Sequence, residues 1–177
     1  MSTRMQMPKP RSLKLTANET WVRADQEWER GRLRRAFRLM LLAAKMRESG
    51  AQVSLGYMYD NGIGTRRNKK AALYWYKRAY RRGEGAAAHN IGTVWRDYGN
   101  FPRALYWFER ALKLNGRDDG EANFEIAKLY LGEGHDPRKA ALFLRKVCKS
   151  KNVTQNCLEQ AQRLLKRTRT ESSSLRP

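Results

Sequence analysis

Two stretches decide the fold: Ala72-Leu73-Tyr74-Trp75-Tyr76-Lys77-Arg78-Ala79 and Ala104-Leu105-Tyr106-Trp107-Phe108-Glu109-Arg110-Ala111. A third copy reads Ala140-Ala141-Leu142-Phe143-Leu144-Arg145-Lys146-Val147, and an earlier one Ala36-Phe37-Arg38-Leu39-Met40-Leu41-Leu42-Ala43. The leading alanines are 36, 32 and 36 residues apart. Periods of this size belong to stacked arrays, not to a closed globule. Within each copy, small or apolar residues fall at i, i+3, i+4 and i+7, as in Ala72, Trp75, Tyr76 and Ala79, which places them on one helical stripe. The alanines let a neighbouring helix approach closely. Trp75, Tyr76, Trp107, Phe108 and Phe143 fill the space between units, while Tyr74 and Tyr106 stand one position off that stripe and are expected to be partly exposed.

A second helical pattern precedes three of the copies: Ala51…Leu55-Gly56…Met58-Tyr59, Ala87…Ile91-Gly92…Val94-Trp95 and Ala122…Ile126-Ala127…Leu129-Tyr130. Each unit is therefore a helix A, a turn and a helix B. The turns hold Asn61-Gly62-Ile63-Gly64, Tyr98-Gly99-Asn100-Phe101-Pro102 and Gly132-Glu133-Gly134-His135-Asp136-Pro137. Glycine suits the positive φ that ends helix A, and proline suits the first turn of helix B. Gly50, Gly83-Glu84-Gly85 and Asn115-Gly116 are expected to break the chain between units. No long segment alternates with period two, so the fold class is all-α.

The run Ala51 to Gly64, followed by Lys70-Ala71-Ala72 and Trp75-Tyr76, resembles the Sel-one-like repeat (SLR) family, a relative of the tetratricopeptide (TPR) repeats. The resemblance extends over about 150 of the 177 residues. It weakens in unit three, which lacks the Gly-x-Gly turn, and in unit one, whose helix A around Trp21, Ala24 and Trp28 reads as a cap. It implies a right-handed α-solenoid of about four helix pairs with a C-terminal capping helix from Cys157-Leu158 to Leu164-Leu165. The expected units are about 18–49, 50–83, 84–116 and 117–152, with the cap at 153–167. It also implies a scaffold of bacterial type: an adaptor, a regulator or an immunity-like partner of another protein.

The 177 residues carry 37 Lys and Arg against 17 Asp and Glu, a formal charge of +20. Their length suits one domain. The longest apolar run, Leu39 to Ala44, is far short of the roughly 20 residues a membrane helix needs. Residues 1–17 read as a flexible basic leader without the apolar stretch of a secretory signal, and 168–177 as a Ser-rich tail. Localisation is expected to be cytoplasmic. Cys148 and Cys157 are expected as buried, reduced thiols, although some secreted, cysteine-rich SLR members bridge neighbouring helices at a similar separation.

Catalytic signatures are absent, and no cofactor or metal is expected. His89 and His135 lie in different units, which excludes a His-rich metal site. Gly62 and Gly64 read as a turn and not as a phosphate cradle. An enzyme would need a buried polar cluster that the sequence does not show. Solenoids bind along the concave wall of their A helices. Its residues by helical spacing are Tyr57, Asp60 and Asn61, then His89, Asn90, Thr93, Arg96 and Asp97, then Glu125 and Lys128. Asn90, Arg96 and Lys128 are the nearest equivalents of a TPR clamp for acidic C-termini, although the complete clamp is missing. The basic excess falls elsewhere, in a rim containing Arg66, Arg67, Lys69, Lys70, Arg81 and Arg82. These features point to an acidic protein or peptide as partner, met by long-range steering. Nucleic acid is the alternative through nonspecific phosphate contacts, weakened by exposed charges that are not interleaved with aromatics.

Overall fold

The computed structural model describes residues 15–116 and 119–174, with side chains as far as Thr168. Positions 1–14 of the expected leader and 175–177 of the expected tail lie outside the described residues. Nine helices follow one another: α1 (Ala17–Glu29), α2 (Leu33–Lys45), α3 (Ser49–Asn61), α4 (Lys69–Tyr80), α5 (Gly85–Asp97), α6 (Phe101–Asn115), α7 (Gly120–Leu131), α8 (Pro137–Lys149) and α9 (Gln155–Ser174). They form four A/B pairs and a closing helix, and the described residues contain no strand. α9 runs to Ser174, beyond the boundary expected at Arg167.

Helix starts are written in the side chains. Asn68, Asn100, Asp119 and Asp136 each accept a backbone N–H from the first turn of the helix they precede. Thr16 and Glu19 close a reciprocal capping box on α1. Pro102 and Pro137 occupy the first turns of α6 and α8, where a missing N–H costs nothing. Two turns depart from expectation. Gly132 is not left-handed; His135, at φ +42°, takes that place in unit four. Between units one and two, Arg47 at φ +69° makes the break, and Gly50 lies inside α3, where the Trp21 ring leaves no room for a Cβ.

Packing divides into consecutive slices. Ala36, Ala72, Ala104 and Ala140, the residues that set the repeat, are all fully buried. Four positions on, Met40, Tyr76, Phe108 and Leu144 are buried as well. Their sizes match what helix A offers. A Cβ on Gly56 would stand 2.5 Å from the Tyr76 ring, and one on Gly92 would stand 2.7 Å from the Phe108 ring. Where helix A carries Ala127 instead, helix B supplies the smaller Leu144, in the same cluster. Trp21 and Trp28 of α1 pack against the first slice. Successive A helices also touch directly, α3 with α5 and α7 with α9, while B helices do not to a comparable extent. The A helices thus make the inner wall and the B helices the outer one.

Candidate interaction surfaces

Five of the ten expected groove residues, Asp60, Arg96, Asp97, Glu125 and Lys128, join Lys69 in one chain of ion pairs. Lys69 Nζ, at the start of α4, lies 2.6 Å from Asp97 and 3.6 Å from Asp60. Arg96 reaches Asp97 at 3.2 Å and forms a close ion pair with Glu125. Lys128 completes the chain at 2.7 Å from Glu125. Three acids and three cations alternate across units two to four, with no net charge. Burial opposes ionisation of Asp97, but hydrogen bonds and charge from Lys69 and Arg96 outweigh it and hold the carboxyl below its ordinary value. The two cations matched to a clamp, Arg96 and Lys128, are both engaged by Glu125. Lys69 corrects the rim assignment: its side chain is only 16% exposed and belongs to the inner wall.

Other groove residues serve differently. His89 packs edge-on against Phe108 at 5.3 Å, and burial lowers its pKa despite the attraction of Glu125, Asp119 and Glu121. It is therefore neutral at pH 7. Thr93 donates to the His89 carbonyl, and the Asn61 amide donates to that of Tyr57. Asn90 is half-buried and makes no side-chain hydrogen bond among the described residues. Tyr57 is 46% exposed and stacks on Trp28 of α1, with ring centroids 6.2 Å apart. Asp60, in contrast, is buried beneath Lys69.

The outer wall is built from opposite material. α2, α4, α6 and α8 together hold sixteen Lys and Arg and one acid, Glu109. The A helices α1, α3, α5 and α7 hold eight acids against Arg23, Arg96 and Lys128. Among the eight paired helices, the positive excess is thus confined to the B helices. Of the remaining rim residues, Arg66, Arg67, Lys70, Arg81 and Arg82 are all exposed.

The outer cations are interleaved with aromatic rings, contrary to the expectation from sequence. Tyr74 and Tyr106, 53% and 47% exposed, occupy equivalent positions on α4 and α6. Arg78 donates to the Tyr74 hydroxyl at 2.9 Å and lies 5.5 Å from the Trp75 ring centroid. Arg110 lies 4.9 Å from the Tyr106 centroid and donates to the Tyr80 hydroxyl at 3.0 Å. In unit four Lys146 sits 4.3 Å from the Phe143 ring centroid. The spacing of four residues between Tyr74 and Arg78 is readable in the sequence, since helical neighbours at i and i+4 share a face.

No group of three metal-ligating side chains occurs among the described residues, and no described helix is long and apolar enough to cross a membrane. Cys148 and Cys157 are free. Cys157 is buried and Cys148 half-buried. Burial, helped by the charge of Glu121, pushes the Cys157 thiol up to about 12, so it is a protonated packing group at neutral pH.

Comparison with known proteins agrees with the geometry. The model of the Sel1 repeat matches residues 33–47, 49–84 and 85–116. A putative sel1-like repeat-containing protein of Acanthamoeba polyphaga mimivirus is 27% identical over 81 residues, which are 46% of this chain and 15% of that protein. The crystal structure of a Sel1 repeat protein from Oxalobacter formigenes is similar with a TM-score of 0.64 and 27% identity, covering 77% of this chain and 60% of that one. The chain thus spans only part of the length of either relative. The TPR protein YrrB, described as having an unusual peptide-binding site, superposes with a TM-score of 0.62 at 20% identity, covering 90% of this chain and 81% of its own. Residues 33–116 are thus matched as Sel1 repeats, within a TPR-like α-solenoid that continues on both sides of them.

Proposed function

We propose that the chain is a non-catalytic scaffold that holds an acidic segment of another protein, with its outer wall and loop rim providing the attraction. The observation that carries this reading is the segregation of charge: sixteen cations to one acid on the B helices. Such a wall raises encounter rates with an acidic partner and makes them steeply dependent on salt. Sel1 and TPR repeats generally serve as protein-interaction modules, and a TPR structural neighbour is described as binding a peptide. The inner groove, with its charges already paired, suits an uncharged stretch of the same partner. Tyr57 offers a ring face and Asn90 an amide to peptide backbone there. The chain would act in the cytoplasm.

The test is co-purification from the native host, followed by titration of the recovered partner against K70E/K77E/R81E. Loss of at least about tenfold in affinity is expected, since the variant reverses three charges on the face concerned. Equal affinity for the variant, or recovery of nucleic acid alone at physiological salt, would overturn the proposal. The Tyr74/Arg78 and Tyr106/Arg110 pairs favour nucleic acid as a second reading, because rings beside guanidiniums suit unpaired bases. That reading requires a linear fall of log affinity with log salt. It also requires weaker nucleic-acid binding on charge reversal of Arg66, Arg67 and Lys70.

A further inference from the structure

At the loop edge of units one and two, the α1–α2 turn, the start of α2 and the α3–α4 loop surround a cavity of about 960 Å³. Arg32, Arg34, Arg35, Arg38 and Arg66 line it, with Gly62 and Gly64 at one side. Neither a carboxylate nor an aromatic ring is among its lining residues. The two glycines are turn residues, as the repeat requires: both are left-handed, and a Cβ on Gly64 would collide with the Leu33 carbonyl. Their bare backbone brings the loop against α2 and so creates the cavity wall.

The charge of this cavity is unbalanced. Beside it, the buried Glu27 carboxylate lies 3.2 Å from Arg35, 3.6 Å from Arg32 and 3.1 Å from Arg30. Burial opposes the charge on Glu27, but Arg35, the hydrogen bond from Arg30 and the charge of Arg32 hold its pKa below the ordinary value. That single acid ties α1 to α2 and faces three guanidiniums. Arg34, Arg38 and Arg66 are exposed and have no carboxylate partner among the described residues. α2 also begins there on Arg32 without a side-chain cap, whereas α1, α3, α4, α6, α7 and α8 each begin on a side chain that accepts a first-turn N–H. The partial positive charge of a helix start therefore adds to the guanidiniums.

The ligand that relieves this arrangement must carry dense negative charge in a small volume. Carboxylates of a peptide bring one charge per residue and are spread along the chain. Phosphoryl groups bring more charge and three acceptor oxygens each, and a guanidinium meets two such oxygens at once. The missing aromatic ring leaves nothing for a base to stack upon. We infer that this cavity is a binding site for a compact run of phosphoryl groups, an oligophosphate, either free or as the tail of a nucleotide. The site takes Arg34, Arg35 and Arg38 from the first outer-wall helix and Arg66 from the loop rim. Its shape comes from the two loops, and it does not depend on the rest of the wall having an acidic partner.

Calorimetric titration of the full chain with inorganic tripolyphosphate, at about 0.15 M salt, tests this inference. Binding is expected, with ATP within about threefold of tripolyphosphate, since RT ln 3 is too small for a dedicated base contact. R34Q/R38Q/R66Q keeps the Glu27 cluster, should melt like the parent, and should lose at least about tenfold in affinity. R34K/R38K/R66K keeps the charge and loses the fork, so it should also weaken. K77Q/R81Q/R82Q removes equal charge elsewhere and should cost less than about threefold, because the distant charges are screened. Equal weakening of the two glutamine triples would reduce the site to general electrostatics. Binding of an oligoglutamate of matching charge as tight as tripolyphosphate would overturn the phosphoryl assignment, as would no binding of tripolyphosphate. ATP more than tenfold tighter than tripolyphosphate would place recognition in the base and overturn it too.

Discussion

The two walls of this solenoid hold charged residues for different ends. On the inner wall, Asp60, Lys69, Asp97, Arg96, Glu125 and Lys128 spend their charge on one another and stitch units two, three and four together. On the outer wall, the other fifteen cations of the B helices face one acid of those helices, and Arg78, Arg110 and Lys146 lie beside aromatic rings. The contrast separates charge that organises a fold from charge left available to a partner. Net charge could not make that distinction, because both kinds enter the same +20.

Neither wall's charge is expected to rival the slices of packing between them. Phe108 is fully buried, with Gly92 of α5 against its ring and His89 at its edge. Phe108→Ala should cost about 3–5 kcal/mol, the range for large-to-small changes at aromatic core sites. Thermal or chemical unfolding gives the number. A loss below about 1 kcal/mol would mean that the ring has no such packing role and that ionic stitching holds the units.

Glu125 offers the sharpest cut through the inner wall, because it receives both Arg96 and Lys128. Glu125→Gln leaves two cations facing each other and should destabilise by about 1–3 kcal/mol. Glu109→Gln, removing the lone acid of the outer wall, should change stability by less than about 0.5 kcal/mol. Similar costs for both would erase the distinction between the walls. Acid should expose the same asymmetry. His89 has a folded pKa below its ordinary 6.5, so its neutral form contributes stability fully present above that value. That contribution falls as pH drops below 6.5 toward the lowered pKa, since protonation then favours the unfolded chain. Asp97 adds a second loss, beginning below its ordinary 3.8. His89→Gln should flatten the first decline in melting temperature and leave the second.

The period of the alanines was enough to read the helix pairs, because a position that must admit a neighbouring helix tolerates only small residues. Pro102 and Pro137 mark two of the same boundaries in the sequence, and in the structure Asn68, Asn100, Asp119 and Asp136 fix the helix starts by independent local chemistry. Side-chain destinations were harder to read. Lys69 sits in the run Arg66-Arg67-Asn68-Lys69-Lys70, yet Asn68 starts a helix and turns Lys69 toward Asp97 of the next unit while Lys70 stays exposed. Adjacent identical residues in one run therefore went to opposite purposes. The arginine cavity draws on two separated segments, 31–38 and 62–66, and only the left-handed Gly64 packed against Leu33 brings them together. The imbalance of the B helices needed no tertiary information. Counting acids helix by helix would have found it once the register was known.

The smallest expected effect tests whether the outer rings are part of the wall's chemistry or merely shelter its cations. Arg78 bonds the Tyr74 hydroxyl and lies 5.7 Å from the centre of that ring, in a largely exposed setting. A double-mutant cycle of Tyr74→Ala and Arg78→Ala on stability should give a coupling of about 0.5 kcal/mol, as exposed cation–π contacts do. Tyr74→Phe keeps the ring and removes the acceptor, so it should retain part of that coupling. If the coupling is absent, Arg78 is a freely solvated cation and the outer wall attracts partners by charge alone. If it is present in the free chain and lost on adding a single-stranded oligonucleotide, the ring has exchanged the guanidinium for a base. An acidic protein partner would instead engage the guanidinium and leave the ring in place. This exposed contact thus distinguishes the two classes of partner by which half of the pair they take.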